Sequence, residues 1–116
     1  MSKNLITGIN GFVAPHLADY LLANNEEVIG THRKDGDLEK IQHIKDRIHL
    51  VQMDLKDYKS CLDVFERTKP DYVHHLAAQA HVPQCEKNPR DAFETNVLGT
   101  VNILEAIRVL REKDKR

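Results

Sequence analysis

The sequence has no apolar run approaching the roughly 20 residues that a membrane-spanning helix needs. Its first residues, Met1-Ser2-Lys3-Asn4, lack the apolar core of a secretory signal. No charge of one sign dominates: 17 Lys and Arg stand against 18 Asp and Glu, a net −1, so nothing argues for nucleic acid or a membrane surface as partner. Cysteine is scarce. Cys61 and Cys85 form neither a Cys-x-x-Cys pair nor a zinc-finger spacing, so the expectation is two reduced thiols in the cytoplasm. Tryptophan is absent, as are internal repeats, low-complexity runs and linkers. What remains is a chain of 116 residues, 41% hydrophobic and 30% charged, expected to be a single domain that buries a real core.

What is there is an alternation of short β-rich runs with helical patterns. Leu5-Ile6 reads as a buried strand, followed by Thr7-Gly8-Ile9-Asn10-Gly11-Phe12-Val13-Ala14 and then a helix. Strand, Gly-rich turn and helix in that order are how α/β proteins seat a pyrophosphate. The glycines let the backbone turn and approach the ligand, and the helix N-terminus offers unpaired N–H groups. A Gly-rich turn with no ligand is the alternative, since the spacing is Gly-x-x-Gly-x-x-Ala and not Gly-x-Gly-x-x-Gly.

The first helix is expected from about Gly11 to Ala23, with Val13, Leu17 and Leu21 on one face and Pro15 in its first turn. Asn24-Asn25 can end it in the left-handed conformation. Glu27–Thr31 is the second strand. Asp37 caps a short helix carrying Leu38, Ile41 and Ile44, and 48–51 is the third strand. Asp57 caps a helix over 58–68 burying Cys61, Leu62 and Phe65, which Pro70 stops. Residues 71–78 are the fourth strand, running into a loop. Asn88-Pro89 then starts a long helix reaching about Arg111, whose apolar residues spread beyond one stripe, so that two sides are covered. Parallel strands with right-handed crossovers predict a Rossmann-like doubly wound α/β sheet of order 3-2-1-4. That order brings the small residues Gly8–Gly11 and Ala77-Ala78 to one crevice. His74, His75, His81 and Cys85 do not make a metal site, because adjacent histidines on a strand face opposite ways.

Thr7-Gly8-x-x-Gly11-x-x-Ala14, Asp54-Leu55, His75-Leu76-Ala77-Ala78 and Thr95-Asn96-x-x-Gly99-Thr100, in register across nearly the whole chain, resemble the N-terminal half of an extended short-chain dehydrogenase/reductase (the NAD-dependent epimerase/dehydratase family). Gly30-Thr31-His32-Arg33 and Ala77-Ala78-Gln79-Ala80-His81-Val82 are most similar to GDP-mannose 4,6-dehydratases, with GDP-4-keto-6-deoxymannose reductases nearly as similar. The resemblance implies a nicotinamide dinucleotide. Gly8, Asn10, Gly11, Phe12 and Val13 would form the pyrophosphate loop, with Ala14 in place of the family's usual third glycine. Where a carboxylate would take the ribose 2′-hydroxyl of NAD, this sequence has His32 and Arg33. A guanidinium there can bind a 2′-phosphate, which points to NADP, with NAD as the alternative. The other reading of Arg33 and Lys34 is two surface cations beside Asp35 and Asp37.

The resemblance further places Asp54 and Leu55 at the adenine, unless Asp54 simply caps the next turn. It places Leu76, Ala77 and Ala78 behind the nicotinamide ribose, unless they only pack a sheet end. Phe93 matches a position close to the cofactor, and a plain core phenylalanine is the alternative. Glycine inside a helix costs about 1 kcal/mol against alanine. Close backbone approach would explain Gly99, and Asn96 is expected to bond a neighbouring loop.

The family's acid–base pair is missing. Tyr20, Tyr58 and Tyr72 are followed four positions on by Asn24, Leu62 and Leu76, so no Tyr-x-x-x-Lys exists here and no catalytic residue is assigned. Ala80 stands where the resembling enzymes often have serine. The expectation is therefore an NADP-binding portion of a nucleotide-sugar dehydratase or reductase, truncated before the fifth strand and not catalytic alone. The nucleotide sugar would bind only in a complete enzyme. A non-catalytic dinucleotide sensor or scaffold, or a folded remnant without ligand, are the alternatives. Without a fifth strand, self-association through the fourth strand or the long helix is expected.

Overall fold

The structure is a computed structural model and describes residues 1–34, 36–77 and 82–114. Two compact units are distinguishable, Met1–Met53 with Thr68–Ala77, and Asp54–Arg67 with Ala78–Arg116.

The first unit holds β1 (Lys3–Thr7), α1 (Ala14–Ala23), β2 (Glu27–His32), a 3₁₀ segment (Glu39–Arg47), β3 (His49–Gln52) and β4 (Tyr72–His75). The strands pair in parallel in the order β3-β2-β1-β4, as the alternating pattern predicts. Leu5 of β1 lies opposite Ile29 of β2 and Val73 of β4. β1 is central, and Asn4, Leu5, Ile6 and Thr7 are all buried. Ile6, Ile9 and Val28 join Ala14, Ala18 and Leu21 of α1 and Ile41, Ile44 and Ile48 in one apolar core.

Local chemistry shifts some boundaries. The first helix begins at Ala14, not Gly11, because the glycine turn must close first. Its buried stripe is Ala14, Ala18 and Leu21 with Leu17 only partly covered, whereas Val13 is exposed. Small alanines, not the larger Val13, let the helix sit close to the sheet. Asn25 is left-handed (φ 60°), and the N–H groups of Asn25 and Glu26 return to the carbonyls of Leu22 and Leu21, a Schellman ending. The segment after Asp37 is 3₁₀ and not α. Leu38, Ile41 and Ile44 recur every three residues, so a period of three stacks them on one face. Asp37 Oδ1 accepts from the Glu39 N–H (2.9 Å) as the turn begins.

The second unit holds α2 (Tyr58–Thr68), α3 (Val82–Lys87), α4 (Pro89–Phe93), a π turn (Glu94–Leu98) and α5 (Gly99–Asp114). Asp57 begins α2 by accepting the Lys59 N–H, and Cys61, Val64 and Phe65 are buried, with Val64 in the place expected for Leu62. Asn88 caps α4 through the Asp91 N–H (3.2 Å). The long helix is present but passes through a π turn, which rotates the residues beyond it. Ile103, Ala106 and Leu110 are buried on one side of α5, while Val101 and Leu104 form a second apolar side that is exposed. α3 occupies residues the sequence reading left in a loop. No helix among the described residues is long and apolar enough to cross a membrane.

Candidate functional site

The turn after β1 is the first part of the site. Gly8 has φ +65°, a left-handed conformation that side chains disfavour, and the Gly11 N–H closes the turn on the Gly8 carbonyl at 2.9 Å. A Cβ on Gly8 would lie 3.0 Å from Ala77 Cα and 3.1 Å from Ala77 Cβ. The two small-residue stretches therefore do meet, beyond the carboxyl ends of the adjacent strands β1 and β4. α1 starts directly after the turn. Val13 caps it without a side-chain acceptor, and its first turn holds no acidic residue. Pro15 brings no N–H and the His16 N–H goes to the Val13 carbonyl (3.0 Å), so an anion would find there the dipole end, which no side chain has taken. Phe12 and Val13 are exposed on the outside of the turn.

Thr7 holds the β4 end against which the turn is seated. Its Oγ1 accepts the N–H of Leu76 (2.9 Å) and of Ala77 (3.0 Å), and it lies 2.8 Å from His75 Nδ1. Two lone pairs are thus used, so the hydroxyl proton goes to His75 Nδ1, which must be unprotonated. Burial pushes the pKa of His75 below the ordinary histidine value, in keeping with that neutral ring. Sequence reasoning placed Thr7 in the motif but gave it no role. A strand-end threonine reads as a β-former, and nothing local reveals partners 68 to 70 residues away. His74 faces the other way, with Nε2 3.1 Å from Asn4 Oδ1.

At the end of β2, Arg33 is exposed, and no carboxylate occupies the last strand position or the one after it. His32 Nδ1–H donates to the Arg33 carbonyl (2.9 Å), as does the Gly36 N–H (3.1 Å). The Asn10 side-chain amide donates to the Asp37 carbonyl (3.0 Å).

In the second unit, Asp54 Oδ1 accepts the Lys56 N–H (3.0 Å), so this carboxylate does shape its own turn. Leu55 is packed against the long helix. A Cβ on Gly99 would fall 3.1 Å from Leu55 Cβ, which accounts for glycine there, and Asn102 Nδ2 donates to the Leu55 carbonyl (2.7 Å). Asn102 was not foreseen, since an asparagine within a helix reads as surface. Lys56 Nζ reaches Asp91 Oδ1 at 2.7 Å, and that bond raises the lysine pKa. Phe93 is 57% exposed. Ala78 lies outside the described residues, as do Asp35, Gln79, Ala80 and His81. Among the described residues, no group of three or more His, Cys, Asp or Glu side chains could hold a metal ion.

Parallel order 3-2-1-4 with a glycine turn at the β1/β4 switch point defines a Rossmann-like α/β protein. The family described as GDP-mannose 4,6 dehydratase matches residues 5–116, and the chain belongs to it. It is 33% identical to a GDP-mannose 4,6-dehydratase of Vibrio cholerae over 117 residues, covering 93% of this chain and 32% of that protein. It is also 33% identical to a dTDP-glucose 4,6-dehydratase of Neisseria meningitidis, over 113 residues, with the same coverage of each. Among solved structures it is similar to the UDP-glucose 4-epimerase of Thermus thermophilus in complex with NAD. There the TM-score is 0.83 at 33% identity, over 93% of this chain and 34% of that one. The chain thus spans about a third of the length of these relatives.

Proposed function

We propose that these residues are the NADP-binding part, a Rossmann-like domain over 1–116, of a nucleotide-sugar dehydratase or reductase, and that they do not catalyse alone. The observation that carries this reading is the left-handed Gly8 seated against Ala77, beside a helix start that no side chain caps. A helix start so arranged offers its dipole end to a pyrophosphate. The epimerase of Thermus thermophilus is named as a complex with NAD, which supports a dinucleotide in this position. Gly8, Asn10, Gly11, Phe12 and Val13 would form the pyrophosphate loop, and Arg33 would hold the 2′-phosphate. Leu76, Ala77 and Ala78 would lie along the nicotinamide ribose. The family resemblance assigns Asp54 and Leu55 to the adenine and Phe93 to the cofactor. The dinucleotide supplies hydride chemistry when bound. The chain's own residues bind and orient it, for they contain no Tyr-x-x-x-Lys to move a proton. Two cysteine thiols, neither in a disulfide, fit a reducing compartment such as the cytoplasm. The same reading includes self-association through the β4 edge or the apolar face of α5.

Calorimetric titration of the chain with NADP⁺ and with NAD⁺ tests the proposal. Arg33 offers charge-assisted bonds worth about 1.5–3 kcal/mol, so NADP⁺ should bind roughly ten- to a hundredfold tighter. Arg33→Ala should erase that preference. Binding of neither dinucleotide would overturn the reading. Binding without any Tyr-x-x-x-Lys in the continuing reading frame would turn the same site to sensing or scaffolding.

A further inference from the structure

The turn after β1 and the chain after β2 are tied together by two contacts that dinucleotide binding alone does not require. The Asn10 side-chain amide donates to the Asp37 carbonyl at 3.0 Å. In the 3₁₀ segment that follows, the Lys40 ammonium stands 5.6 Å from the centroid of the Phe12 ring, which is 81% exposed. Gly36 makes the first tie possible. A Cβ there would lie 2.8 Å from Asn10 Nδ2 and 3.2 Å from the Arg33 carbonyl, so the amide passes through space that only glycine leaves open. The same short stretch begins at Arg33, whose carbonyl is held by the Gly36 N–H and by His32 Nδ1–H.

We propose that Asn10 is a specificity-determining positioning residue: by bonding the Asp37 carbonyl over Gly36, it holds the Arg33 loop in register with the pyrophosphate turn. The inference rests on the NADP reading above and deepens it. A guanidinium on an exposed loop must be ordered before it can grip a phosphate, and that ordering is subtracted from the affinity. Tying its loop to the turn that holds the pyrophosphate lowers this cost for a ligand carrying both groups. A dinucleotide without the 2′-phosphate gains nothing from it. Asn10 therefore acts through Asp37 and Arg33, and its effect belongs to one cofactor and not the other.

The test uses the 116-residue chain, Asn10→Ala, and Gly36→Ala, which displaces the amide while leaving Asn10 in place. Each is titrated with NADP⁺ and NAD⁺, and amide hydrogen exchange is followed by NMR. Losing one hydrogen bond should weaken NADP⁺ about three- to tenfold and NAD⁺ less than about twofold, in both variants. The Gly36 amide should exchange severalfold faster in Asn10→Ala. Equal losses for both dinucleotides, or no loss, overturn the proposal. If the wild-type chain binds neither dinucleotide, or both alike, the NADP reading has failed. Exchange then decides the tie by itself, and an unchanged Gly36 amide overturns it.

Discussion

Thr7 shows how much one hydroxyl can organise. It satisfies two backbone donors, at Leu76 and Ala77, and gives its own proton to His75. Ala77 is the residue against which Gly8 is seated, so the clasp on β4 and the glycine turn share one wall. Valine has nearly the same shape and none of this chemistry. Thr7→Val leaves two part-buried N–H groups without their acceptor, each worth about 1–3 kcal/mol, and should lower unfolding stability in urea by about 2–4 kcal/mol. A loss within the error of the measurement would show that the clasp is idle. His75 adds a pH dependence. Its folded pKa lies below the ordinary 6.5 because it is partly buried, so the unfolded chain takes up the proton more readily. The neutral-ring contribution is whole above 6.5 and is lost as pH falls from 6.5 through the lowered folded value. Subtracting the His75→Asn stability curve from that of the wild type should reveal this acid-side decline. A flat difference between about pH 8 and about pH 5 would contradict it.

Elements differ in how openly the sequence announces them. The parallel order and the glycine turn were legible because Gly8, Pro15 and the short β-rich runs act locally, each at its own position. α2 was bounded correctly, since Asp57 caps it and Cys61 begins its buried stripe. The 3₁₀ segment was misjudged as α because Leu38, Ile41 and Ile44 fit either period over so short a stretch. The π turn at Glu94–Leu98 left only an indirect trace, a scatter of apolar positions that no single stripe could hold. Inserting an extra residue into a turn rotates everything after it, and beyond it Val101 and Leu104 are exposed. At the site, the turn at Gly8 was readable from residue type. The roles of Thr7, Asn10 and Asn102 were not, because each depends on a carbonyl or an N–H brought near only by folding. α2 also carries a chemical consequence. Burial, reinforced by Asp54 and Asp57, pushes the Cys61 thiol up to about 11, and its Sγ–H points to the Asp54 carbonyl at 3.5 Å. Thiolate is the reactive form, so a disulfide reagent at mildly alkaline pH should label Cys85 first and Cys61 only as the chain unfolds. Two thiols reacting at one rate would mean that α2 opens readily in the native state.

For the molecule as a whole, the unfinished surfaces matter more than the finished core. Among the described residues β4 has β1 on one side and no strand on the other, and Tyr72 is 57% exposed along it. Such an edge presents unpaired backbone groups and invites another chain. On α5, Val101 and Leu104 are 53% and 60% exposed, preceded by Val97 and Leu98 at 46% and 45%. Apolar residues recurring along one helix in this way are an unpartnered stripe, not scattered surface leucines. The relatives are about three times as long, so in them additional chain is at hand to cover comparable surfaces. In isolation these 116 residues should associate with copies of themselves, and light scattering should report a mass that rises with concentration. Two substitutions separate the routes. Tyr72→Lys places a charge on the sheet edge and should restore the monomer if strands pair. Leu104→Glu should do so if helices pack, because a carboxylate cannot be buried in an apolar contact without a partner. A monomer at every attainable concentration would refute both routes, and it would mean that neither the open edge nor the apolar stripe is sticky enough to matter.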